Sequence, residues 1–221
     1  MSPNAEEIER LISPERLTSY MTETKSHPPS ALELYYGNQE VSGAVFGDLS
    51  RLEVMLRNVA HQTLSAHAAQ IGASGPRYTN SAFFPGRPGR RSVQNIADAR
   101  NRATSGRRTE KEGRVIAELT FGFWRFLCVR PYLTTLWVPT LSSAFPNHPV
   151  GNAREVRSDV ESRMDRLHFL RNRVAHHEPI HRRSIARDQA AIADLARWIS
   201  ADGHLWIHGR SSVTDVLSQR P

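Results

Sequence analysis

The chain has 221 residues, a formal net charge of +7, and 39% hydrophobic residues. This composition supplies enough apolar sequence for a packed core and is unlike that of a disordered chain. Its apolar runs are far shorter than the roughly 20 residues of a membrane span, and its first residues lack the basic and apolar regions of a signal peptide. The single cysteine, Cys128, excludes an intrachain disulfide framework. We therefore expect a cytoplasmic protein with no membrane partner.

The positive charge is carried almost entirely by arginine, because Lys25 and Lys111 are the only lysines among the 29 basic residues. Guanidinium groups match the geometry of phosphate oxygens better than ammonium groups do. A GC-rich genome produces the same bias, so the charge by itself is only a weak indication of a nucleic-acid partner.

Apolar residues recur at helical spacing over most of the chain, and the alternating pattern of strands is scarce. The first predicted elements are a helix starting at Ser13 and Pro14, a long helix from Asn38 to the Gly-rich stop at Gly72, and a Gly/Pro-rich basic loop over 72–91. A short helix over about 92–103 follows, then an apolar segment opened by Thr109 and continuing to Val129, and short pieces between prolines 131 and 149. The last elements are a long helix over about 152–177 capped by Asn152, a helix from Ser184 to Ile199, and a helix from Ser212 to Gln219. We interpret residues 1–221 as one all-α domain with a helical extension over about 1–37.

One segment at a predicted helix end combines residues that suit chemistry on phosphates. Arg171 shares the inward side of the helix with Leu167 and Val174, and a charge there is costly unless it is paired or used. In a regular helix Arg171 and His176 point about 140° apart. They meet only if the helix loosens near His176 or if a second subunit supplies the partner. The competing interpretation is a helix C-terminus at which cations favour the macrodipole.

The run Arg171-Asn172-x3-His176 resembles the R-x(4–6)-H motif of HEPN-domain ribonucleases, most closely the Abi-like branch linked to abortive infection. Leu52-Glu53-x3-Arg57-Asn58 is similar to the first helix of that group, and residues 118–124 are similar to its central aromatic helix. The resemblance covers about residues 30–200. It implies an all-α, HEPN-like helical bundle that forms a homodimer and brings two motifs together.

The family chemistry implied is metal-independent RNA cleavage without a cofactor, giving a 2′,3′-cyclic phosphate and a 5′-hydroxyl. His176 would be the general acid or base, Arg171 would hold the phosphate, and Asn172 would orient the substrate or the imidazole. His177 also lies within the motif's spacing. Glu53 and Arg57 would form a helical ion pair or face the cleft and position Arg171.

Further arginines are candidate contacts to an RNA backbone: Arg173, Arg87, Arg90, Arg91, Arg107, Arg108, Arg182 and Arg183. The resemblance thus predicts a toxin or phage-defence endoribonuclease with an RNA substrate and an RNA or protein antitoxin. The alternatives are a catalytically inactive HEPN module that binds RNA or a protein, and an all-α interaction domain in which the histidines are incidental. Some HEPN toxins carry a tyrosine two residues after the histidine as an AMP acceptor, and this position is Glu178 here.

Overall fold

The computed structural model describes residues 4–72, 83–84 and 86–219, without the side chain of Pro88. Its elements are helices throughout, and the described residues contain no strand, which confirms the all-α prediction. Among these helices none is both long and apolar enough to cross a bilayer.

The first part of the chain forms three helices that start at capping side chains. Asn4 accepts a hydrogen bond from the backbone of Glu6, and Ser13 accepts one from Arg16. The helices are α1 (Ala5–Ile12), α2 (Pro14–Glu23) and α3 (Pro28–Gln70). The prediction that the long helix begins at Asn38 was wrong. Two prolines at the first turn start it at Pro28 instead, so α3 passes through residue 37 without a break.

The middle of the chain departs most from the sequence prediction. Helix α4 (Gly86–Ala103) begins six residues earlier than expected, so Arg87, Arg90 and Arg91 lie on a helix rather than in a loop. The rest of the predicted loop, residues 73–82 and 85, lies outside the described residues. The apolar segment is two helices, α5 (Glu112–Glu118) and α6 (Phe121–Phe126), separated at Leu119 and Thr120.

The proline-rich stretch forms three short helical turns, as expected: Arg130–Tyr132, Leu133–Trp137 and Leu141–Ala144. Four helices follow, namely α7 (Ala153–Ala175), α8 (Ile185–Ile199), α9 (Ala201–His208) and α10 (Val213–Ser218). Asn152 caps α7 through its side chain, as the sequence predicts, and Ser184, where the next helix was expected to begin, caps α8. Helix α9 was not predicted.

Two groups of buried residues hold these helices together. The large one packs the middle of α3 against α6, α7 and α8, and its central members include Leu52, Trp137, Leu167 and Leu195. The small one joins α2 to the start of α3 through Leu17, Tyr20, Ala31 and Leu32. Arg16 extends this link, because its Nη1 donates to the backbone oxygen of His177 at 2.7 Å. The N-terminal helices therefore brace the turn that follows α7.

Candidate active site

Helix α7 ends in a turn that fixes the positions of the motif histidines. Ala175 is the last helical residue and His176 is the C-cap. The backbone N–H of His177 donates to the oxygen of Val174 at 3.0 Å, and that of Glu178 donates to Arg173 at 2.8 Å, which together make a Schellman motif. His177 occupies the left-handed position with φ 55°, where glycine is the usual residue. Both histidine side chains are exposed.

The helix does not loosen before His176. The backbone N–H of His176 donates to the oxygen of Asn172 at 3.0 Å, the regular spacing of an α-helix. The side chains of Arg171 and His176 consequently leave α7 about 140° apart. The sequence left two ways for Arg171 and His176 to meet, either local unwinding of the helix or a partner residue from a second subunit. The backbone does not show local unwinding.

Arg171 is half-buried between α7, α3 and α6, and it lacks a close anion. Most other arginines of α7 pair with a carboxylate within 4 Å: Arg157, Arg163, Arg166 and Arg173. Among the described residues no carboxylate oxygen lies that close to Arg171, and its buried Nε has no hydrogen-bond partner. A half-desolvated cation with an unused donor is a costly arrangement unless a ligand completes it.

The positive charge of Arg171 acts on Glu53 of α3. Burial raises the pKa of Glu53, and the charges of Arg171 and Arg57 together with the backbone N–H of Phe121 offset part of that rise. Glu53 of α3 is therefore influenced electrostatically by Arg171 of α7 and by the backbone at the start of α6. The buried Nε of Arg57 also has no hydrogen-bond partner within the described part of the chain.

His168 belongs to the same group of residues as Arg171 and Glu53, and it was not predicted from the sequence. Its ring stacks on Phe121 with an interplanar angle of 4° and centroids 6.2 Å apart. Its Nε2 lies 3.3 Å from the amide nitrogen of Asn172. A Cβ on Gly122 would lie 3.1 Å from that same Nε2, so the glycine permits the close approach. His168 precedes Arg171 by three residues, a spacing that makes two side chains neighbours on a helix, so the sequence contained a signal for it.

The environment of His168 favours its neutral form. Burial lowers the pKa of His168, and the positive charges of Arg125 and Arg171 lower it further, while Asp165 opposes them. Arg125 and Asp165 form an ion pair beside the ring. The group formed by Glu53, Arg57, His168, Arg171 and Asn172 is called the Arg171 cluster below.

The arginines that follow the motif are held by the protein itself. Arg173 donates to the backbone oxygen of Pro179 at 2.9 and 2.5 Å and lies 3.4 Å from Glu178. Arg183 binds the fully buried Asp188 at 2.8 Å. Arg182 pairs with Glu23 of α2 at 2.8 Å, at the surface.

The other predicted RNA contacts lie on or after α4 rather than in the Arg171 cluster. Arg87, Arg90 and Arg91 are exposed on its first two turns, and the guanidinium of Arg91 lies 5.1 Å from the ring centroid of Phe126. Arg107 and Arg108 are exposed in the turn that follows α4, where Gly106 and Arg107 both have positive φ. These predicted RNA contacts therefore lie at opposite ends of α4.

A groove of about 450 Å³ lies beside the end of α7. Its walls come from the first half of α3, including Tyr35, Gly43 and Phe46, and from Ala175 and His177. Phe46 is 43% exposed, and Val54 on the same helix is 38% exposed. The motif thus borders an apolar surface of α3.

The described residues contain no group of three or more His, Cys, Asp or Glu side chains placed to hold a metal ion. Comparisons of the chain with protein families, with curated proteins and with solved structures find no match.

Proposed function

We propose that this protein is a metal-independent endoribonuclease that uses the Arg171 cluster and His176. The observation that carries the proposal is the half-buried guanidinium of Arg171, which has a buried Nε without a partner and no carboxylate within 4 Å in the described structure. A phosphate bound at the terminal nitrogens of the half-buried guanidinium would supply the counter-charge that the described residues do not provide. Arginine binds such an anion through paired charge-assisted hydrogen bonds, which strengthen as charge grows in the transition state.

The histidines provide the proton transfers of the proposed reaction. An imidazole accepts the proton of a ribose 2′-hydroxyl, whose oxygen attacks the adjacent phosphorus, and the bond from phosphorus to the 5′ oxygen breaks. A second imidazole returns a proton to that 5′ oxygen. His176 is the exposed candidate, and His168 complements it because burial and the nearby arginines lower its pKa and so favour the neutral imidazole. DNA lacks the 2′-hydroxyl and is not a substrate.

The active unit is a homodimer with a composite site. Because α7 remains regular through His176, Arg171 and His176 of one chain point to different sides. A second copy seated on the groove between α3 and α7 would bring the partner's His176 toward Arg171. The exposed Phe46 and Val54 supply apolar area for such a seam.

The biological role that accompanies this activity is that of a toxin or abortive-infection nuclease, cytoplasmic and restrained by an RNA or protein antitoxin. The support for this part is the resemblance of residues 171–176 and 52–58 to the Abi-like HEPN branch. The net charge of +7 is consistent with a polyanionic substrate.

The test is incubation of the purified chain with total RNA in the presence of EDTA. Cleavage should yield 5′-hydroxyl ends, which polynucleotide kinase labels without prior phosphatase treatment, and 2′,3′-cyclic phosphates. Arg171→Ala and His176→Ala should each lose roughly 10²–10³-fold in rate, whereas Arg210→Ala and His208→Ala, exposed residues near α9, should not. Binding without scission would instead identify an inactive RNA-binding module.

A further inference from the structure

Phe169 is an aromatic residue on the outer side of α7. It is 54% exposed, while Leu167, Leu170 and Val174 of the same helix are buried. Burial of a phenylalanine is normally favourable, and a single exposed ring is common enough to carry no meaning alone. What distinguishes this ring is the pair of cations placed on it.

Two guanidinium groups lie against the Phe169 ring. The central carbon of Arg173 is 5.7 Å from the ring centroid, and that of Arg183 is 5.1 Å away. Both are at cation–π distance. They come from different elements, Arg173 from the last turn of α7 and Arg183 from the loop before α8.

Both arginines are fixed in place before any ligand arrives. Arg173 is held by the backbone oxygen of Pro179. Arg183 is held by Asp188, which is completely buried and also binds Arg166 at 2.7 Å. A ligand that used these groups would therefore lose little additional side-chain entropy on binding.

The ring lies on the same side of α7 as two motif residues. Phe169, Asn172 and His176 are spaced i, i+3 and i+7, so they fall within a sector of about 60° and span about 10 Å along the axis. A strand laid along this side of the helix would meet an aromatic ring, an amide and an imidazole in turn.

We propose that Phe169, with Arg173 and Arg183, is a subsite that stacks an unpaired nucleobase and so sets a neighbouring phosphodiester beside Asn172 and His176. This inference rests on the proposed function and specifies its substrate as single-stranded RNA. Bases stack on phenylalanine rings and on guanidinium planes, and phosphates match the local charge. Paired bases of a duplex are already stacked on each other and do not reach the ring.

The experiment measures binding by fluorescence anisotropy with a labelled 2′-O-methyl RNA oligonucleotide, which resists cleavage, as a single strand and as a perfect duplex. Phe169→Ala should weaken single-strand binding by roughly 5- to 150-fold and leave duplex binding unchanged. Phe169→Trp should restore it. Leu205→Ala, at an apolar residue that is 65% exposed on α9, is the matched control and should behave as the parent.

Each other outcome overturns the subsite. These outcomes are a parent that does not bind the single strand, an equal loss for both RNA forms, or an unchanged affinity in Phe169→Ala. The alternative, in which the Phe169 ring packs against a second chain, is tested by sedimentation analysis. A shift of Phe169→Ala from dimer to monomer would show that the ring makes this protein contact. Failure of the proposed function has a different signature: the parent binds the single strand and Phe169→Ala does not, yet unmodified RNA stays intact.

Discussion

The positive charge of Arg171 on α7 opposes the rise in the pKa of Glu53 on α3 that burial causes. The net result is still a raised pKa, so the ionised carboxylate is less favourable here than in water. A charged group retained at such a cost is typical of functional sites. In the proposed reaction its negative charge attracts the Arg171 guanidinium from beyond 4 Å and so influences its position.

Glu53→Gln tests both the unfavourable ionisation of Glu53 and its influence on the position of Arg171. Because the folded pKa is raised, the stability that Glu53 contributes is present below its ordinary pKa near 4.5 and is lost as pH rises through the folded value. Glutamine cannot ionise, so the variant should be more stable than the parent at pH 8 and equal to it near pH 4 in urea unfolding. Its kcat/KM should fall by roughly 10- to 100-fold, because Arg171 is less well positioned.

Glu40→Gln is the control, since Glu40 is exposed on the same helix and should change neither quantity. A Glu53→Gln protein with full activity would show that the carboxylate does not position Arg171.

His177→Gly separates the two motif histidines. His177 has φ 55°, a conformation that costs a residue with a Cβ about 1–2 kcal/mol and costs glycine little. Allowing for the greater freedom of glycine in the unfolded chain, the variant should gain about 0.5–1 kcal/mol in unfolding free energy. Its rate of RNA cleavage should stay unchanged, whereas His176→Ala should lose roughly 10²–10³-fold in rate at nearly unchanged stability. A stable but inactive His177→Gly protein would transfer the acid–base role to His177.

His168→Gln tests the second imidazole through its dependence on pH. The folded pKa of His168 is lowered from its ordinary 6.5, so its contribution to stability is present above 6.5 and is lost as pH falls below that value. The parent should therefore lose stability below pH 6.5 more steeply than the variant. Arg125, Arg171 and Asp165 surround the ring in both proteins, and glutamine does not ionise, so the difference between parent and variant reports His168.

The kinetic readout decides between catalysis and packing. As a proton acceptor, His168 should produce the acidic limb of the kcat/KM profile, and His168→Gln should lose that limb together with roughly 10²–10⁴-fold in rate. If His168→Gln keeps both the acidic limb and the rate and is only less stable, the role of His168 is to pack against Phe121.

Helix positions set by local chemistry could be predicted from the sequence, and those set by packing could not. Asn152 caps α7 as predicted, because a cap needs only the next few residues, and α8 follows Ser184, where the apolar pattern indicates a helix start. Helix α9 was missed because Gly203 disfavours a helix interior. The structure shows why glycine is used there, since a Cβ at Gly203 would lie 2.5 Å from the sulfur of Met55.

In the candidate site too, features set by local sequence could be predicted and features set by packing could not. The spacing of Arg171, Asn172 and His176 could be recognised along the chain, and the regular turn at His176 could not be known without the backbone. The approach of the Phe121 N–H to Glu53 joins residues that are far apart in sequence, so it depends on how α3, α6 and α7 pack. Phe169 was visible as an apolar residue on the polar side of α7, but its two arginine contacts depend on the path of the loop after the helix.

Mixing two inactive variants tests the composite site. Arg171 and His176 diverge on a helix that stays regular through the His176 N–H, so each site should combine Arg171 of one chain with the partner's His176. When Arg171→Ala and His176→Ala chains are mixed and allowed to exchange, about half of the dimers are mixed, and each of these holds one intact site of two. The mixture should recover about a quarter of the parental rate, although neither variant cleaves RNA alone.

Phe46→Glu supplies the control for this complementation, because a carboxylate on the exposed ring position of α3 would oppose the seam between two copies. Introduced into both chains, it should give monomers in sedimentation and abolish the recovered activity while the helical circular dichroism stays the same. Recovery that persists in monomers, or no recovery in mixtures shown to contain mixed dimers, would place Arg171 and His176 in separate roles within one chain.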